Sequence, residues 1–341
     1  MSGNTGTQLN ILGKTVSLRS LSLNVLKVLF VVLVFWWLAK KNLISVSAFM
    51  GGLKNWPQIL VGVFCLLLSA FLAAFRWGIL LRAQGIKIRN SRLLQLQFIG
   101  NFFNVALPGA VSGDFVKAFY IAHESPGNRG RAFGSILFDR LVGLTALVAV
   151  SVTALLLEMR HFIGSPILAG VKAFVMTSGA AVVVFYAYLF LMHENADPVL
   201  QFLQAFERRN AKFGSLVRIY LGVRVYHSER RLVVRAFLVA FLIQSLSAYA
   251  CLCFARALGE WQIPANGLLV VTPLGLLVTA VPVLPGGVGT GHAAFSFFYH
   301  LLGSDRGADI FSYFVLIQLC IGAVGGLVYL KFKKGEPSPL V

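Results

Sequence analysis

The sequence predicts an all-α polytopic membrane protein with about six full transmembrane helices and two re-entrant broken helical hairpins. Three observations carry this prediction. First, the 341-residue chain is 57% hydrophobic and only 12% charged, whereas about 25% of the residues in a soluble domain are charged. Second, several apolar runs reach the roughly 20 residues that a membrane-spanning helix requires. Third, the related sequences ALPGAV at 106–111 and VLPGGV at 283–288 interrupt apolar segments in the two halves.

The balance of charge is strongly basic: 30 Lys and Arg residues against 12 Asp and Glu residues give a formal net charge of +18. Each basic residue near a membrane surface gains about 1 kcal/mol from anionic headgroups, although the positive-inside rule accounts for most of the excess. The basic residues flank apolar spans and do not form one soluble face, so nucleic acid is not an expected partner. The four cysteines lie in apolar runs without a disulfide or zinc pattern, and we expect no metal and no cofactor.

Six apolar runs are interpreted as full spans, and the basic residues beside them set their orientation. A basic cluster at 82–92 follows the second run, and Lys331, Lys333 and Lys334 follow the last run. Such clusters mark cytoplasmic ends, and an even number of spans then places both termini in the cytoplasm. The predicted spans cover about 25–39, 58–81, 133–157, 166–192, 232–258 and 309–330.

Two further elements, at about 93–122 and 267–302, contain the Pro-Gly sequences and are predicted to be re-entrant. Proline removes a backbone donor and glycine loosens the chain beside it. Non-helical backbone at membrane depth persists only when it is buried in protein or lines a wet cavity. Basic residues flank the first element on both sides but scarcely flank the second, so we expect them to enter from opposite faces. One broken element in each half is typical of an inverted repeat with a transport site between the halves.

The linker between the halves is basic and amphipathic. Val199, Leu200, Leu203 and Phe206 fall at helical spacing, which predicts an amphipathic helix on the cytoplasmic surface. The predicted segments are a polar cytoplasmic tail at 1–20, a single transmembrane domain at 21–335 with halves at about 21–193 and 232–335 joined by the linker at 194–231, and a C-terminal tail at 336–341.

The first broken element carries a polar stripe that leads to its Pro-Gly turn. Gln97, Asn101 and Asn104 share one helix face at the spacing i, i+4, i+7, and Pro108 and Gly109 follow. The stripe indicates either a hydrophilic cleft or interhelical hydrogen bonds that hold the bundle together. We favour the cleft because the stripe ends at a broken helix.

Asp114 and Lys117 follow the turn at i, i+3 and can pair with each other. Asp114 could instead cap the second half-helix. Alternatively, the helix N-terminus and Lys117 could attract an anionic headgroup, in which case Asp114 would orient Lys117 or another basic residue. Both interpretations stay open.

Asp139 and Arg140 are adjacent in the third span and lie on different helix faces, so they cannot pair along the helix. Ionisable groups at membrane depth are costly and usually functional. The planar guanidinium of Arg140 suits a phosphate or carboxylate. The alternative is that both side chains reach the solvated interface, and Arg76 in the second span is open to the same two interpretations.

Pro285, Gly286 and Gly287 open a glycine-rich stretch that ends at His292. It lacks the Lys-Ser/Thr pair of a phosphate loop, and no strand precedes it. Exposed amides at a membrane break could bind an anion, and His292 could donate a hydrogen bond to a phosphate or act only in packing.

At these residues the chain resembles the flippase-like transmembrane domain of lysylphosphatidylglycerol synthases. The chain departs from the family's usual Gly-Gly-Asp and Glu-Arg at Ser112-Gly113-Asp114 and Asp139-Arg140, and it has His292 where an acidic residue is usual. The matching pieces are GNFFNVALPG at 100–109, SGDFVKAF at 112–119, FDRLVG at 138–143 and PVLPGGVGTGH at 282–292.

The resemblance implies a lipid flippase of the bacterial inner membrane, without the soluble aminoacyl-transferase domain of the full synthases. Membrane lipids with anionic headgroups would be the partners, together with a second copy of the chain or a lipid-synthesising enzyme. The alternatives are a membrane-embedded transferase that acts on a lipid-linked substrate, and a non-transporting partner subunit. The expected substrate-binding residues are Asn101, Asn104, Pro108, Gly109, Asp114, Lys117, Asp139, Arg140, Pro285, Gly286, Gly287 and His292, with no catalytic residue assigned.

Overall fold

The computed structural model describes residues 8–11, 14–17, 50–106, 112–125, 127–157, 166–192, 197–210, 213–279 and 289–332. Apart from one short antiparallel hairpin, in which Gln8 lies opposite Ser17, the secondary structure of this part of the chain is helical. The elements are β1 (Gln8–Ile11), β2 (Lys14–Ser17), α1 (Trp56–Ala83), α2 (Asn90–Ala106), α3 (Ser112–Glu124), α4 (Arg129–Leu157), α5 (Pro166–Leu191), α6 (Pro198–Arg209), α7 (Gly214–Arg224), α8 (Arg230–Ala257), α9 (Ala265–Thr279), α10 (Thr290–His300) and α11 (Gly307–Lys331).

Five helices of the described part are long and apolar enough to cross a membrane, which confirms an all-α polytopic membrane fold. They coincide with five of the predicted spans, whereas the predicted first span at about 25–39 lies outside the described residues. The spans are Met50–Ala83, Arg129–Leu156, Ala169–Leu191, Arg230–Ala257 and Gly307–Lys331.

Each predicted broken element contains two helices that pack against each other as an antiparallel hairpin. In α2–α3, a Cβ on Gly113 would overlap the backbone oxygen of Gly100, so glycine is needed where the two backbones meet. In α9–α10, the Thr272 hydroxyl lies 2.7 Å from the Tyr299 hydroxyl, and a Cβ on Gly275 would lie 2.8 Å from the Phe295 ring. The Pro-Gly turns, with Pro108, Gly109, Pro285, Gly286 and Gly287, lie outside the described residues.

The set α1 to α4 and the set α8 to α11 have the same order of elements. Both α1 and α8 contain 28 residues, and both are followed by a glycine with positive φ, at Gly85 and Gly259. In both sets, the first helix contacts the hairpin and the last helix packs on the second hairpin helix. Across the sets, α2 packs on α11 and α9 packs on α4.

The two first helices, α1 and α8, pack side by side in opposite directions. Near the start of α1, Asn55 Nδ2 donates to the backbone oxygen of Ala257 at the end of α8 (3.1 Å). At the other end of α1, the Tyr226 hydroxyl, just before α8, donates to the backbone oxygen of Leu80 (3.1 Å). Both helices contribute to the apolar clusters of the bundle, in which Phe254 and Leu80 are fully buried.

The two ends of the bundle differ in charge. One end brings together the C-termini of α1, α3 and α11 with the N-terminus of α2, through Arg92 Nε bonded to Glu124 (3.0 Å) and the Arg92 guanidinium stacked 3.8 Å from the Phe332 ring centroid. The described basic residues at this end include Arg82, Lys87, Arg89, Arg92, Arg129, Arg131, Arg208, Arg209, Arg218, Arg224, Arg230, Arg231 and Lys331, together with the acidic residues Glu124, Asp197, Glu207 and Glu229. The opposite end has Lys54, Lys172, Arg256 and Arg306 alongside Glu260, Asp305 and Asp309.

Candidate functional site

The centre of the candidate site is the carboxylate of Asp114, which lies between two cations. Lys117 Nζ, one turn further along α3, is 2.8 Å from Asp114 Oδ1. Arg140 Nε of α4 donates to Asp114 Oδ2. The predicted i, i+3 pair is therefore present, and Asp114 also joins α3 to the neighbouring spanning helix.

Lys117 is almost completely removed from solvent, and its side chain is only 4% exposed. Besides Asp114, its ammonium donates to Gln97 Oε1 of α2 (3.2 Å) and lies 5.0 Å from the centroid of the Trp77 ring of α1. The side chain crosses Gly100, where a Cβ would lie 2.8 Å from Lys117 Cδ. Gly100 thus leaves room for a buried cation inside the hairpin, where an acidic partner, an amide oxygen and an aromatic face stabilise it.

Asp139 pairs with Arg76 of α1 and not with its neighbour Arg140. Arg76 Nε and Nη2 donate to the two oxygens of Asp139 at 2.7 and 2.9 Å, which is the bidentate geometry that favours a guanidinium over an ammonium. Gly143, one turn beyond Asp139, lies beside this guanidinium, and a Cβ there would be in ordinary van der Waals contact with Arg76 Nη1 (3.4 Å). The adjacent residues Asp139 and Arg140 therefore serve two separate ion pairs, as their different helix faces require.

These five side chains carry three positive and two negative charges. Four of them are at most 10% exposed, whereas the side chain of Arg140 is 34% exposed. Burying charges in a membrane protein is costly unless they are paired and hydrogen bonded. The cluster is therefore held in place by its internal pairs. Among these five side chains the positive charges exceed the negative ones by one, and Arg140 is the most exposed cation.

The asparagines of the predicted polar stripe take part in the hairpin. Asn104 Oδ1 accepts a hydrogen bond from the backbone N–H of Gly113 (2.9 Å), and Asn101 Oδ1 accepts one from Gln97 Nε2 (3.1 Å). Ser112 Oγ also donates to the backbone oxygen of Phe103 (2.9 Å). Asn104 thus joins α2 to α3, and Asn101 lies next to the Gln97 that contacts Lys117.

His292 lies in the second hairpin, in contact with α11. Its Nε2 is 3.1 Å from Ser312 Oγ, its Nδ1 accepts from the backbone N–H of Gly289 (3.4 Å), and its ring packs edge-on against Phe311 with centroids 4.9 Å apart. The structure does not bring His292 into contact with Asp114, Lys117 or Arg140 within the described residues. Its contacts are those of a packing residue.

An apolar groove of about 420 Å³ runs along α3, the helix that carries Asp114 and Lys117. Phe115 in its wall directly follows Asp114, and Phe133 precedes Arg140 by seven residues on the same face of α4. Phe115 and Phe119 are both 62% exposed. The groove opens to the outer surface of the bundle, and none of the five charged side chains is in its lining. Its aromatic lining consists of Phe103, Phe115, Phe119, Tyr120, Phe133 and Tyr329.

From the sequence, Arg76 could be either a functional residue or a side chain that reaches the solvated interface, and it was not among the predicted site residues. An opposite charge in another apolar run, at Asp139, was the signal that could have identified the pair. Trp77 and the groove had no local signal, because aromatic residues are common in spanning helices and a groove depends on how helices pack. No group of three or more potential metal ligands occurs in the part of the chain described by the structure.

Comparisons with known proteins agree with the architecture and extend it. The family described as Lysylphosphatidylglycerol synthase TM region matches residues 24–328. A UPF0104 membrane protein of Pyrococcus horikoshii is 22% identical over 329 residues, which cover 91% of this chain and 96% of that protein. A UPF0104 membrane protein of Methanothermobacter thermautotrophicus is 22% identical over 249 residues, 68% of this chain and 72% of that protein. No solved structure gives a significant match.

Proposed function

Since the chain belongs to the family described as Lysylphosphatidylglycerol synthase TM region, we propose that it is a flippase, which moves a phospholipid or another lipid-linked headgroup between the leaflets of the inner membrane. The chain is a multi-pass membrane protein of a lipid-related family. The charged and apolar side chains of the candidate site indicate which kind of lipid it carries.

The observation that carries the proposal is the partly exposed guanidinium of Arg140, in a charged cluster that shares the helices α3 and α4 with an open apolar groove. A phospholipid has a phosphate that suits a guanidinium and acyl chains that suit an aromatic, lipid-accessible groove. A soluble anion would need only the charge, and an apolar ligand only the groove. Together, the two features on the same pair of helices favour a lipid with an anionic headgroup.

The pairing around Asp114 suggests how such a headgroup enters and leaves. A phosphate that binds Arg140 competes with Asp114 for the same guanidinium. Lys117 remains bonded to Asp114 and keeps this carboxylate neutralised, so exchange of Arg140 between the two anions leaves no unpaired buried charge. Competition from Asp114 therefore weakens the hold of Arg140 on the headgroup and helps the headgroup to leave, which a transporter needs.

The matching order and contacts of the two helix sets support an inverted repeat. The first helices of the sets are antiparallel, and each set places its hairpin between its first and last helix. In this arrangement the two hairpins enter the membrane from opposite faces, which is the design that holds a substrate near the midplane in many transporters. The basic end of the bundle is then cytoplasmic by the positive-inside rule, and both termini lie on that side.

A reconstitution experiment tests the proposal. The purified protein, incorporated alone in liposomes with labelled anionic and zwitterionic phospholipids, should change the leaflet accessibility of the anionic lipid without changing its mass. Arg140→Leu should slow this exchange by roughly tenfold or more, the loss expected when one charge-assisted hydrogen bond to phosphate is removed. Arg306→Leu, which removes an exposed guanidinium at the opposite end of the bundle, is the matched control and should leave the rate unchanged.

Two results would contradict the flippase. Equal rates for the Arg140→Leu protein, the wild type and protein-free liposomes would remove the transport function. A lipid of new mass, formed only when a candidate donor lipid is supplied and without exchange in its absence, would establish the alternative of a membrane-embedded transferase. A lipid-synthesising partner enzyme or a second copy of the chain stays a prediction, which native mass spectrometry of the purified protein tests.

A further inference from the structure

The linker between the two helix sets presents an apolar surface away from the charged cluster and the groove. We define the α6 surface as Val199, Phe202, Phe206, Phe213 and Leu216, and we propose that it binds the headgroup region of an anionic bilayer. In this proposal α6 lies in the plane of the membrane at the basic end of the bundle. The inference is independent of which lipid the protein transports.

The exposure of these side chains is the first step. Helix α6 has no buried residue. Its apolar side chains are therefore exposed as well: Phe202 is 61% exposed and Val199 is 41% exposed. Val199, Phe202 and Phe206 recur at i, i+3 and i+7, so they form one stripe. The rings of Phe202 and Phe206 are 4.7 Å apart, and Phe213 joins them at 5.6 Å from Phe206. A continuous aromatic patch of this kind on a surface helix indicates an apolar partner.

The position of the α6 surface is fixed by a buried carboxylate at its base. Asp197 is fully buried and caps α6 by accepting from the backbone N–H of Leu200 (3.0 Å). It also accepts from the hydroxyls of Tyr188 of α5 (2.5 Å) and Tyr220 of α7 (2.7 Å). Because Tyr188 is in the last turn of a spanning helix that ends at Leu191, α6 starts at the level where that span leaves the membrane.

Charge selects the kind of bilayer. Residues 198–231 contain seven Lys and Arg residues against two Glu residues, and Arg208 and Arg209 end α6 itself. An apolar stripe flanked by basic residues at this depth fits the boundary between acyl chains and anionic headgroups. A second copy of the chain is disfavoured as the occupant, because two such surfaces would bring like charges together.

Hydrogen–deuterium exchange of the full-length protein in nanodiscs tests this inference. We expect the amides of 199–209 to exchange about tenfold more slowly in bilayers of phosphatidylcholine with phosphatidylglycerol than in phosphatidylcholine alone, since several basic side chains each gain from anionic headgroups. Phe202→Asp combined with Phe206→Asp should abolish that difference. Gln201→Asp combined with Gln204→Asp adds the same charge on the other side of α6 and should retain it.

Three results would overturn the inference. They are equal exchange in the two bilayers for the wild type, equal loss of the difference in both double variants, and protection that rises with the number of protein copies per nanodisc, which would make a second copy the occupant. The comparison of bilayers needs no substitution, so a failure of any variant to fold does not affect it.

Discussion

The two hairpins have corresponding backbones but different chemistry. Counted from the helix starts, the eleventh residue of α2 and of α9 is a glycine, at Gly100 and Gly275, and each leaves room for a side chain of the opposite helix. In α2–α3 that side chain is Lys117, whereas in α9–α10 it is Phe295. Since both are the sixth residue of their helix, a buried cation in one hairpin takes the place of an aromatic ring in the other.

The difference extends to the neighbouring positions. Asp114 and His292 are both third residues of their helices, and Gln97 and Thr272 are both eighth residues. Asp114 holds two cations, whereas His292 contacts Ser312 and packs on Phe311. Corresponding positions in the two hairpins therefore have different roles. The α2–α3 hairpin holds buried charges, whereas the α9–α10 hairpin is packed mainly with apolar side chains.

The largest expected contrast comes from removing the charge of Asp114. Asp114→Asn leaves Lys117 buried and Arg140 without its carboxylate, and breaking a buried ion pair in this way costs about 3–5 kcal/mol of stability. His292→Asn at the corresponding position loses one neutral hydrogen bond, which costs about 1 kcal/mol. Thermal and denaturant unfolding of the two purified variants in the same detergent measures both. Equal losses of stability would show that the charge of Asp114 contributes no more to the stability of the fold than the neutral side chain of His292 does.

Asp197 is a third buried carboxylate, besides Asp114 and Asp139, and it lies outside both hairpins. It gives a reference for how much a buried carboxylate stabilises the fold. Burial acts to raise the pKa of Asp197, but hydrogen bonds from Tyr188, Tyr220 and the Leu200 N–H, together with the charge of Arg224, outweigh it and lower the pKa. A lowered pKa means that Asp197 stabilises the folded state fully above its unfolded pKa of about 3.9. This contribution is lost as the pH falls below that value and through the folded pKa.

The test of the reference is an unfolding series of the wild type and Asp197→Asn between pH 7 and pH 3. At neutral pH we expect the wild type to be more stable by about 1.5–3 kcal/mol, the range for hydrogen bonds to a charged group. The difference should shrink toward pH 3. A difference that is constant with pH would assign the stabilisation to the shape of the side chain and not to its charge.

Much of the frame could be predicted from the sequence, because it depends on local pattern. Apolar runs identified five described spans, and the Pro-Gly sequences located both hairpins. The Asp114–Lys117 pair followed from i, i+3 spacing. The pair between Arg76 and Asp139 joins residues 63 positions apart. Such a contact depends on which helices pack together, and a single sequence does not encode that locally.

The two hairpins also differ in what lies against the glycine at the start of their second helix. Gly113→Ala would place its Cβ against the backbone oxygen of Gly100, whereas Gly291→Ala would meet the ring of Phe311. A side chain can rotate away, but a backbone oxygen in a helix can move only with the whole helix. We therefore expect Gly113→Ala to cost about 1–3 kcal/mol, the range for overpacking, and Gly291→Ala to cost less. Unfolding of both variants under the same conditions measures the order, and a larger cost at Gly291 would contradict it.

The smallest expected effect concerns the eighth residues, Gln97 and Thr272. Thr272→Val keeps the shape of the side chain and removes the hydroxyl that lies 2.7 Å from the Tyr299 hydroxyl, and both residues are fully buried. Leaving the Tyr299 hydroxyl without this partner should cost about 1 kcal/mol and leave lipid exchange unchanged.

Gln97→Leu removes the amide oxygen that accepts from Lys117 Nζ at 3.2 Å. The loss of stability should be similar or slightly larger, because the partner is charged. Lipid exchange should also change, since the position of Lys117 determines how firmly Asp114 competes for Arg140. The informative measurement is therefore the ratio of exchange rate to stability in the two variants. If Thr272→Val slows exchange as much as Gln97→Leu does, the charged hairpin has no privileged role, and both hairpins contribute to transport only through the stability of the bundle.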